Sequence, residues 1–427
     1  MTMVSEYWDE GLECMSLDSL QKRRLLKMQK HVRYVYQNSA FYKTVFDEAG
    51  VRPEDIKTLD DFRERVPLLA HEQLVENQRN NPPYGDFMTT GIKDIRRIYC
   101  SPGPLIMPFS KSDMEVYINT TANGIYIAGV RRGDIVDNTY GYQWDLAGSV
   151  IDEGFRRIGC AVVPGGTGMT KMHVRIMRHL GVNVIFVFPS FAMKIADTAE
   201  AMGLDPKKDF KMRLIIIGGE VYDDSEKEEL SERFGAEVRR MYGGAEVGFV
   251  GAECSHGGGL HSYSESIIET IDPETGQIIT DGGPGEMVCT DLKRIGMPIL
   301  RYRTGDLIDG VNAEPCPCGR TSLRVGRVVG RVGKILRVKG VYLIPEQIKE
   351  VIAMYKEMGA FQVILERART REKLLIRVES KVPEDDESTK ASLIEDLRAV
   401  TRLRAEIELV PFNSIGKDAP MVIDKRY

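Results

Sequence analysis

The sequence predicts an α/β protein with a large N-terminal domain and a small α+β C-terminal domain. Three observations predict it: Val- and Ile-rich runs that alternate with helical segments, a later section of short strands rich in turns, and a glycine-rich break near residues 330–340. Continuous apolar runs between helices are typical of buried, mostly parallel sheets. We therefore expect residues 1–330 to form the first domain and residues 331–427 the second.

The composition argues against several other classes of protein. The 427 residues include 58 Lys and Arg against 63 Asp and Glu, a formal net charge of −5. A nucleic-acid-binding protein normally carries a basic excess or a basic stripe, and no stretch reaches the roughly 18 consecutive apolar residues of a membrane helix. The N-terminus also lacks a basic region followed by an apolar one. We therefore expect a cytoplasmic protein that binds neither nucleic acid nor membranes.

The first element is predicted by the spacing of apolar residues. From Ser16 to Ser39 they recur every three to five positions on a strongly basic background, which is typical of an amphipathic helix. Prolines then punctuate a stretch of short helices and loops up to Pro83. Four later apolar runs predict buried parallel strands: Ile135–Thr139, Ala161–Val163, Val184–Phe188 and Leu214–Ile217. Two helices are predicted between them, at Met169–Leu180 and Phe191–Met202.

Shorter strands joined by turn signals are predicted from Leu260 to Ile308, and this section is interpreted as antiparallel and barrel-like. The C-terminal domain is predicted from alternating helical and strand patterns. Its helices are expected at Pro345–Lys356 and Ser388–Leu403, and its strands at Phe361–Leu365, Leu374–Val378 and Glu406–Val410.

Four short segments occur in a characteristic order: Gly218-Gly219-Glu220, Tyr242-Gly243-Gly244-Ala245-Glu246, Arg301-Tyr302-Arg303-Thr304-Gly305-Asp306-Leu307, and Gly330-Arg331 through Gly340. Their order and spacing resemble the adenylate-forming superfamily, and specifically its phenylacetate-CoA ligase branch. The resemblance covers almost the whole chain, from Tyr7-Trp8 to the terminal Val422-Ile423-Asp424-Lys425-Arg426. Each segment alone is a weak signal, whereas all four in this order indicate common descent.

The resemblance implies a set of nucleotide-binding residues. Gly219 and Glu220 follow a buried strand, at the edge where open α/β sheets bind ligands, and in the family this turn contacts adenine. Asp306 is expected to accept hydrogen bonds from both ribose hydroxyls, the alternative being a solvated turn carboxylate. Tyr242 and Arg327 complete the nucleotide-binding set that the resemblance implies.

Two further positions are expected to contact the reacting groups. Gly243, a residue without a Cβ, would let the backbone approach a flat acyl-adenylate closely. Glu246 offers a hard oxygen ligand for Mg²⁺ on the phosphates and is a catalytic candidate.

The phosphate loop departs from the family pattern. The family has Ser-Ser-Gly-Thr-Thr-Gly-Lys-Pro, a run of hydroxyls and backbone donors around the ATP phosphates. This chain has Cys-Ser-Pro-Gly-Pro-Leu-Ile-Met-Pro at residues 100–108, and Pro102 and Pro104 each remove a backbone donor. Ala245 also stands where the family carries Ser or Thr. The sequence therefore predicts weak binding of a triphosphate.

The resemblance also implies a catalytic lysine and a hinge. Lys417 lies in Gly-Lys-Asp-Ala-Pro, about one residue out of register with the family's Gly-Lys-Ala, and is the catalytic candidate; an ordinary exposed lysine is the alternative. At the hinge, where the family has an acidic residue, this chain has Gly333 followed by Lys334. Glycine absorbs large backbone changes, so we expect a mobile C-terminal domain, with a plain linker as the alternative.

Seven cysteines, an odd number spread thinly along the chain, do not form a disulfide framework and fit a reducing compartment. Three thiolates and one imidazole would make a closed, structural zinc site because no position remains open for water. Some relatives in this branch carry a comparable cluster. The expected ligands are Cys254, His261, Cys316 and Cys318, with His256 as the substitute for His261; free thiols and a core histidine are the alternative.

The acyl pocket is expected at two aromatic positions. Tyr140 and Phe191 lie where the family binds its aromatic acid, with Gly243 beside them, although aromatic residues at strand ends are more often ordinary core. Aromatic side chains suit an aryl ring through offset or edge contacts.

These expectations converge on an AMP-forming acid–thiol ligase that activates an aromatic acid with ATP and Mg²⁺ and transfers it to CoA. The alternative is a divergent homologue that binds an aromatic acid, AMP or an acyl thioester without adenylating from ATP, as a binding protein or an acyl transferase. Zinc is expected as a structural cofactor. A homodimer is expected from the resemblance alone, and the acid itself does not follow from the sequence.

Overall fold

The computed structural model describes residues 5–101, 105–221, 224–332, 336–338, 341–343, 345–368, 371–401, 403–416 and 419–426. The chain divides into two compact units, Met1–Val332 and Gly333–Tyr427. None of the described helices combines the length and the apolar character that a membrane crossing requires.

Five helices open the described chain: Glu10–Glu13 (α1), Leu17–Asn38 (α2), Ala40–Glu48 (α3), Leu59–Arg65 (α4) and His71–Asn80 (α5). The predicted amphipathic helix is confirmed as α2. The side chain of Ser16 caps its first turn, which leaves fewer backbone N–H groups without a partner. Met28, Val32 and Val35 recur at helical spacing and are fully buried, so one face of α2 packs into the core.

A hairpin and a long helix follow. The strands Ile95–Ser101 (β1) and Leu105–Ser110 (β2) pair antiparallel. Helix Lys111–Ile127 (α6) begins directly after β2, where Ser110 and Asp113 cap each other reciprocally. The hairpin therefore leads without a loop into the helix beneath it.

The next elements alternate between strand and helix. They are Ile135–Asn138 (β3), Leu146–Ile158 (α7), Ala161–Val163 (β4), Thr170–Leu180 (α8), Val184–Val187 (β5), Pro189–Ala201 (α9), Pro206–Asp209 (α10), Leu214–Ile217 (β6), Asp224–Phe234 (α11), Glu237–Gly244 (β7), Gly248–Glu253 (β8) and Leu260–Ser262 (β9). All four predicted parallel strands and both predicted helices are confirmed, with boundaries that differ by at most two residues.

Six further strands complete the N-terminal unit: Ile267–Ile271 (β10), Gly285–Asp291 (β11), Ile299–Ile308 (β12), Val311–Asn312 (β13), Arg324–Val325 (β14) and Val328–Arg331 (β15). A nine-stranded sheet has the order β13-β14-β9-β8-β7-β6-β5-β3-β4. Its β4-β3-β5-β6-β7 portion is parallel and the rest is antiparallel. A second sheet, β10-β11-β12-β15, is antiparallel as expected.

The parallel strands are buried on both faces. Leu214 and Ile216 of β6 pack into one apolar cluster together with side chains of α6 and α7. Ile215 and Ile217 pack into another, with side chains of α8, α9 and α11. Successive side chains of a strand point to opposite faces, which explains why this strand is a continuous apolar run. The carboxyl ends of these strands are left facing a common edge.

The C-terminal unit contains Leu336–Val338 (β16), Val341–Leu343 (β17), Pro345–Ala353 (α12), Met358–Ala368 (β18), Arg371–Ser380 (β19), Glu387–Thr401 (α13), Glu406–Pro411 (β20) and Val422–Lys425 (β21). Its four-stranded sheet has the order β20-β19-β18-β21 and packs its apolar residues against α12 and α13. The predicted α+β character is confirmed.

Candidate functional site

The turn that follows β6 lies at the carboxyl edge of the parallel strands. A Cβ at Gly218 would lie 2.4 Å from the carbonyl oxygen of Met241, and Gly219 has a φ of +81°, so both positions favour glycine. The Glu220 carboxylate accepts hydrogen bonds from the backbone N–H (3.0 Å) and the hydroxyl (2.8 Å) of Ser190 at the start of α9. The carboxylate of Glu220 is therefore used to hold the turn in place. This leaves the backbone of the turn, rather than that side chain, to contact a ligand.

The two aromatic residues of the predicted acyl pocket both lie near the start of α9: Phe191 is in its first turn, and Tyr140 contacts Phe188, which precedes it. Tyr140 is buried, stacks on Phe188 with ring centroids 4.2 Å apart, and donates a 2.7 Å hydrogen bond to the Gly218 carbonyl. Phe191 is partly buried and meets the ring of His173 edge to face at 5.4 Å. Tyr140 thus supports the glycine turn from below, and Phe191 lies nearer the surface.

A second glycine-rich turn joins β7 to β8. A Cβ at Gly243 would lie 2.7 Å from the carbonyl oxygen of Gly248. The hydroxyl of Tyr117, on α6, donates to the backbone carbonyl of Glu246 at 3.1 Å. This hairpin was not predicted as strands, because two glycines interrupt its apolar pattern.

The Glu246 carboxylate lies near His71, which the sequence did not predict as a site residue. Its Oε1 lies 3.8 Å from Nδ1 of His71, the first residue of α5. The same His71 nitrogen lies 3.1 Å from the hydroxyl of Tyr302 on β12. Glu246 and its neighbour His71 are each about one-seventh exposed, so the carboxylate is only partly solvated.

Asp306 is the centre of a charged cluster next to this turn. The hydroxyl of Tyr242 donates to Oδ2 of Asp306, and Nε of Arg331 lies 2.9 Å from Oδ1. Burial, and then the Asp306 charge, raise the pKa of the Tyr242 phenol well above its ordinary value, so Tyr242 stays a donor. Tyr242 and Asp306, two predicted nucleotide-binding residues, are therefore in direct contact.

Arg327, the other predicted nucleotide-binding side chain, pairs with carboxylates other than Asp306. Its guanidinium pairs with Asp309 at 3.2 Å and with Asp224 at 3.4 Å. Arg331 is the arginine that reaches Asp306. The sequence offered a signal for Arg331, since β15 carries the Gly-Arg of the fourth segment, but spacing alone could not decide between two arginines four residues apart.

The other charged residues around Asp306 hold β12 in its sheet. Arg301 is buried and pairs with Glu269 of β10 at 2.9 Å, and Arg303 pairs with Glu286 of β11. Breaking a buried ion pair is strongly destabilising, so these arginines fix the register of the strand. Gly305 has a φ of +72°, which turns the backbone just before Asp306.

The candidate phosphate loop lies at the tip of the β1–β2 hairpin. The strands remain paired as far as Ser101 and Leu105, which leaves three residues, 102–104, in the connection. The Ser101 hydroxyl is buried and has no hydrogen-bond partner among the described residues. Pro102, Pro104, Gly333, Lys334 and the predicted catalytic Lys417 lie outside the described residues.

The four predicted metal ligands lie together. Their ligand atoms are all within 4.8 Å of one another, in the set Cys254, His261, Cys316 and Cys318. The sulfur atoms of Cys254 and Cys316 are 3.8 Å apart, the spacing that a tetrahedral zinc with bonds of about 2.3 Å gives its sulfur ligands. His256 is exposed and lies outside this group.

The surroundings of the Cys/His cluster also fit a metal. Nδ1 of His261 lies 3.3 Å from the Ser322 hydroxyl, and Nε2 lies 3.3 Å from the sulfur of Cys318. A hydrogen bond to the second ring nitrogen is the usual way in which a ligating histidine is oriented. The hydrogen bond from Cys254 holds the pKa of the Cys318 thiol far below its ordinary value.

Helix α1 and the residues just before it are held by hydrogen bonds near this cluster. The buried Glu13 carboxylate accepts hydrogen bonds from the backbone N–H of Trp8 and Asp9, from the amide of Asn123 on α6, and from Arg320 at 2.6 Å. Four donors satisfy a carboxylate that would otherwise be costly to bury. The Cys316–Cys318 loop, α1 and α6 therefore form one continuous structure.

A buried pair near the predicted acyl pocket was also missed. Nδ1 of His173 on α8 donates to Asp137 of β3 at 2.6 Å, and both side chains are almost fully buried. A Cβ at Gly165 would lie within 2.5 Å of both side chains, so glycine is required there. The partners are 36 positions apart, and no local pattern connects them.

Comparison with known proteins gives one consistent result. Residues 340–426 match the family of AMP-binding enzyme C-terminal domains. The phenylacetate-coenzyme A ligase of Aromatoleum evansii is 30% identical over 98% of this chain and 97% of its own, and that of Pseudomonas putida is 30% identical over 87% and 84%. The crystal structure of 2-hydroxyisobutyryl-CoA ligase with 2-HIB-AMP and CoA, in the thioesterification state, superposes with a TM-score of 0.93 at 25% identity over 99% of this chain and 93% of that one.

The parallel sheet with its glycine turns, the Asp306 cluster and the matched C-terminal domain define an adenylate-forming enzyme. Within that superfamily, the chain belongs to the phenylacetate-CoA ligase family.

Proposed function

We propose that this protein is an AMP-forming ligase that activates an aromatic carboxylic acid as its acyl-adenylate and transfers the acyl group to CoA. One observation carries the proposal: Asp306, held by Tyr242 and Arg331, lies beside the turn that carries Glu246, at the carboxyl edge of the parallel strands. This edge is where open α/β sheets bind nucleotides.

In the first half-reaction the substrate carboxylate attacks the α-phosphorus of ATP. A new P–O bond forms to the acid, the bond to the β-phosphate breaks, and pyrophosphate leaves. Asp306 accepts hydrogen bonds from the ribose hydroxyls, and the backbone at Gly219 and Glu220 lies against the adenine. Gly243 lets the backbone approach the planar carboxyl-phosphate group.

Glu246 is the proposed Mg²⁺ ligand. A carboxylate oxygen is a preferred ligand of this ion, and the partly buried position of Glu246 beside His71 limits competition from water. Bound Mg²⁺ supplies charge neutralisation of the phosphate oxygens. Lys417 is proposed to meet the α-phosphate and the acid during adenylation, as its family motif implies.

In the second half-reaction the CoA thiolate attacks the acyl carbon, a C–S bond forms, and AMP leaves with the electrons of the C–O bond. We propose that residues 331–427 turn between the two half-reactions, as the family's C-terminal domain does. Tyr140 and Phe191 are proposed to contact the aryl ring of the acid.

The experiment that tests this function is a pyrophosphate-release assay over a panel of aryl acids with ATP and Mg²⁺, followed by mass spectrometry for the CoA thioester. We expect release that depends on one aryl acid and a thioester that appears only when CoA is added. Phe191→Ala should shift the acid preference, whereas Phe210→Leu, a buried residue whose ring stacks on Phe234, should not. Pyrophosphate release that is independent of any acid contradicts the proposal.

The short phosphate connection favours a second candidate function. With backbone pairing extended to Ser101 and Leu105 and two prolines between them, few donors remain for a triphosphate. A homologue that binds AMP or an acyl-adenylate but does not adenylate from ATP would fit. AMP binding by calorimetry, with no turnover of any acid, would favour this candidate.

We also propose that Cys254, His261, Cys316 and Cys318 hold a structural zinc ion. A closed Cys₃His set supports folding and leaves no position for water. Protein purified without chelator should contain about one zinc per chain, Cys318→Ser should lose it, and Cys160→Ser, a partly buried thiol outside the cluster, should keep it. Zinc content well below one per chain contradicts the proposal. The expected homodimer stays a prediction, which light scattering can check.

A further inference from the structure

A pocket lies within the N-terminal unit, and none of its lining residues belongs to the proposed nucleotide site. Its volume is about 620 Å³, and its walls come from α2, α6, the end of α7, and the connections that precede β10 and β12. The pocket meets Val116, Asn119 and Thr120 of α6. Tyr117, whose hydroxyl bonds the Glu246 carbonyl, points from a different face of the same helix. The two sites therefore share one helix without sharing a cavity.

The walls carry an excess of positive charge. Four cations line the pocket, namely Lys27, Lys30, Arg157 and Lys293, against two carboxylates, Glu115 and Glu265. Lys27 pairs with Glu265 and Arg157 with Glu115, each at 2.6 Å. Lys293 pairs with Asp291 at 3.3 Å, and its ammonium lies 4.0 Å from the ring centre of Tyr263. Lys30 has no ion-pair partner among the described residues. Arg23 pairs with Glu265 as well, at 2.5 Å. With Arg23 and Asp291 counted, five cations face three carboxylates, and the net charge of +2 could balance a ligand of charge about −2.

His31 adds an unmet hydrogen-bonding group. Its side chain lines the pocket but is only 5% exposed, and its Nε2 has no partner among the described residues. Burial, with the charge of Lys293 acting in the same direction and Asp291 opposing it, lowers the pKa of His31 to about 4. The imidazole is therefore neutral at physiological pH. Leaving a buried polar group unpaired is costly, and a ligand could remove that cost.

The spacing on α2 brings these groups to one face. Lys30 and His31 lie three and four positions after Lys27, and Tyr34 lies four and three positions after them, the separations at which helical side chains are neighbours. This is the basic background noted in the sequence of α2. Leu292 and Ile295 line the pocket as well and give it an apolar section.

We propose that this pocket binds an organic phosphomonoester: a dianionic phosphate between Lys27, Lys30 and Lys293, with an apolar body against Tyr34 and Leu292. A phosphomonoester carries a charge of about −1.5 to −2 at pH 7, and lysine binds phosphate as a point charge. The volume lies within the range of about 300–1,000 Å³ typical of small-molecule sites. This site goes beyond the proposed ligase function and does not depend on it.

The test is a calorimetric titration with three probes: phenyl phosphate, inorganic phosphate and benzoate. We expect phenyl phosphate to bind roughly tenfold more tightly than either of the others, because only it has both the dianion and the apolar body. Lys30→Gln should weaken phenyl phosphate about fivefold or more. The matched control is Lys22→Gln, on the same helix but outside the pocket and 73% exposed, which should leave binding within twofold.

The titration is repeated with saturating AMP. Binding of phenyl phosphate that AMP abolishes would place the probe in the nucleotide site and overturn the proposal, as would equal affinities in the Lys30 and Lys22 variants. Inorganic phosphate that binds as tightly as phenyl phosphate would contradict the proposed apolar contacts with Tyr34 and Leu292. If AMP does not bind at all, the ligase proposal weakens, but the comparison of the two lysine variants still decides this one.

Discussion

The two ends of the proposed nucleotide site are built differently. At the ribose end, Asp306 is surrounded by side chains that support one another, with Tyr242 donating to one oxygen and Arg331 meeting the other. At the phosphate end, β1 and β2 are paired almost to their tip, so backbone groups that could face a phosphate are used in the strand ladder. The chain therefore keeps the segment that resembles the family at the ribose end, whereas its phosphate loop departs from the family pattern.

This difference indicates how the two ends should respond to change. A charged cluster depends on each of its members, so a single substitution at the ribose end should have a large effect. The connection between β1 and β2 has few donors for a phosphate, so substitutions there should remove little binding energy. A substitution that adds a donor should strengthen ATP binding. Four experiments follow, ordered by the size of the expected effect.

The largest effect is expected from Asp306→Ala. This change removes the acceptor for two ribose hydroxyls, and hydrogen bonds to a charged group contribute about 1.5–3 kcal/mol each. AMP affinity by calorimetry should fall roughly 100-fold or more. Asp309→Ala, a nearby partly exposed carboxylate paired with Arg327, is the control and should leave AMP affinity unchanged. Equal affinities in the two variants would show that the ribose does not lie at Asp306.

Glu246→Gln should separate chemistry from binding. The amide is a weaker Mg²⁺ ligand than the carboxylate, so kcat of pyrophosphate release should fall roughly 10- to 100-fold, while AMP affinity without Mg²⁺ stays the same. Glu72→Gln, an exposed neighbour of His71 on α5, is the matched control. A loss of AMP affinity as large as that of Asp306→Ala would show that Glu246 also binds the nucleoside, and that the two ends of the site do not have separate roles.

A smaller gain is expected from the double change Pro102→Ala and Pro104→Ala. It returns two backbone N–H donors to the connection between β1 and β2. ATP affinity should rise by roughly threefold, and AMP affinity, measured on the same variant, should not change. An unchanged ATP affinity would mean that the phosphates do not lie over this connection.

The smallest effect is expected from pH. Because burial and Asp306 raise the pKa of Tyr242 well above 10, its hydroxyl remains protonated and bonded as the pH rises from 7 to 9.5. AMP affinity measured across this range should vary less than about twofold. AMP affinity could instead fall between pH 9 and 9.5 in the unmodified protein but not in Tyr242→Phe. That result would show that Tyr242 has an ordinary pKa and loses its hydrogen bond to Asp306 in this range.

Short sequence patterns predicted the elements that depend mainly on interactions within a short stretch of chain. The Val and Ile runs of β5 and β6 predicted buried strands because both faces of each strand are covered. The Cys/His set was predicted from residue types and from its place around one section of the chain. Its geometry favours His261 over His256 because β9 fixes His261 beside β14, whereas His256 lies in an exposed turn.

Other features depend on contacts between distant segments. Arg331 and Arg327 are equivalent in the sequence, and only the pairing of β12 with β15 brings Arg331 to Asp306. The bond between Asp137 and His173 joins a strand to the second helix after it. Such pairs have no periodicity and become visible only when the sheet order is known. The β7–β8 hairpin was missed for a different reason, since its glycines reflect close backbone approach rather than a loop.

The contact between Glu13 and Arg320 affects the order of folding during synthesis. Its partner Arg320 is 307 positions further along the chain. At a synthesis rate of about 5–20 residues per second, the first helix waits at least about 15 seconds on the ribosome before this contact can form. During that interval Leu12 and Leu20, which are buried in the finished protein, lack their full set of neighbours. The contact between Glu13 and Arg320 can therefore form only after most of the N-terminal unit has been synthesised.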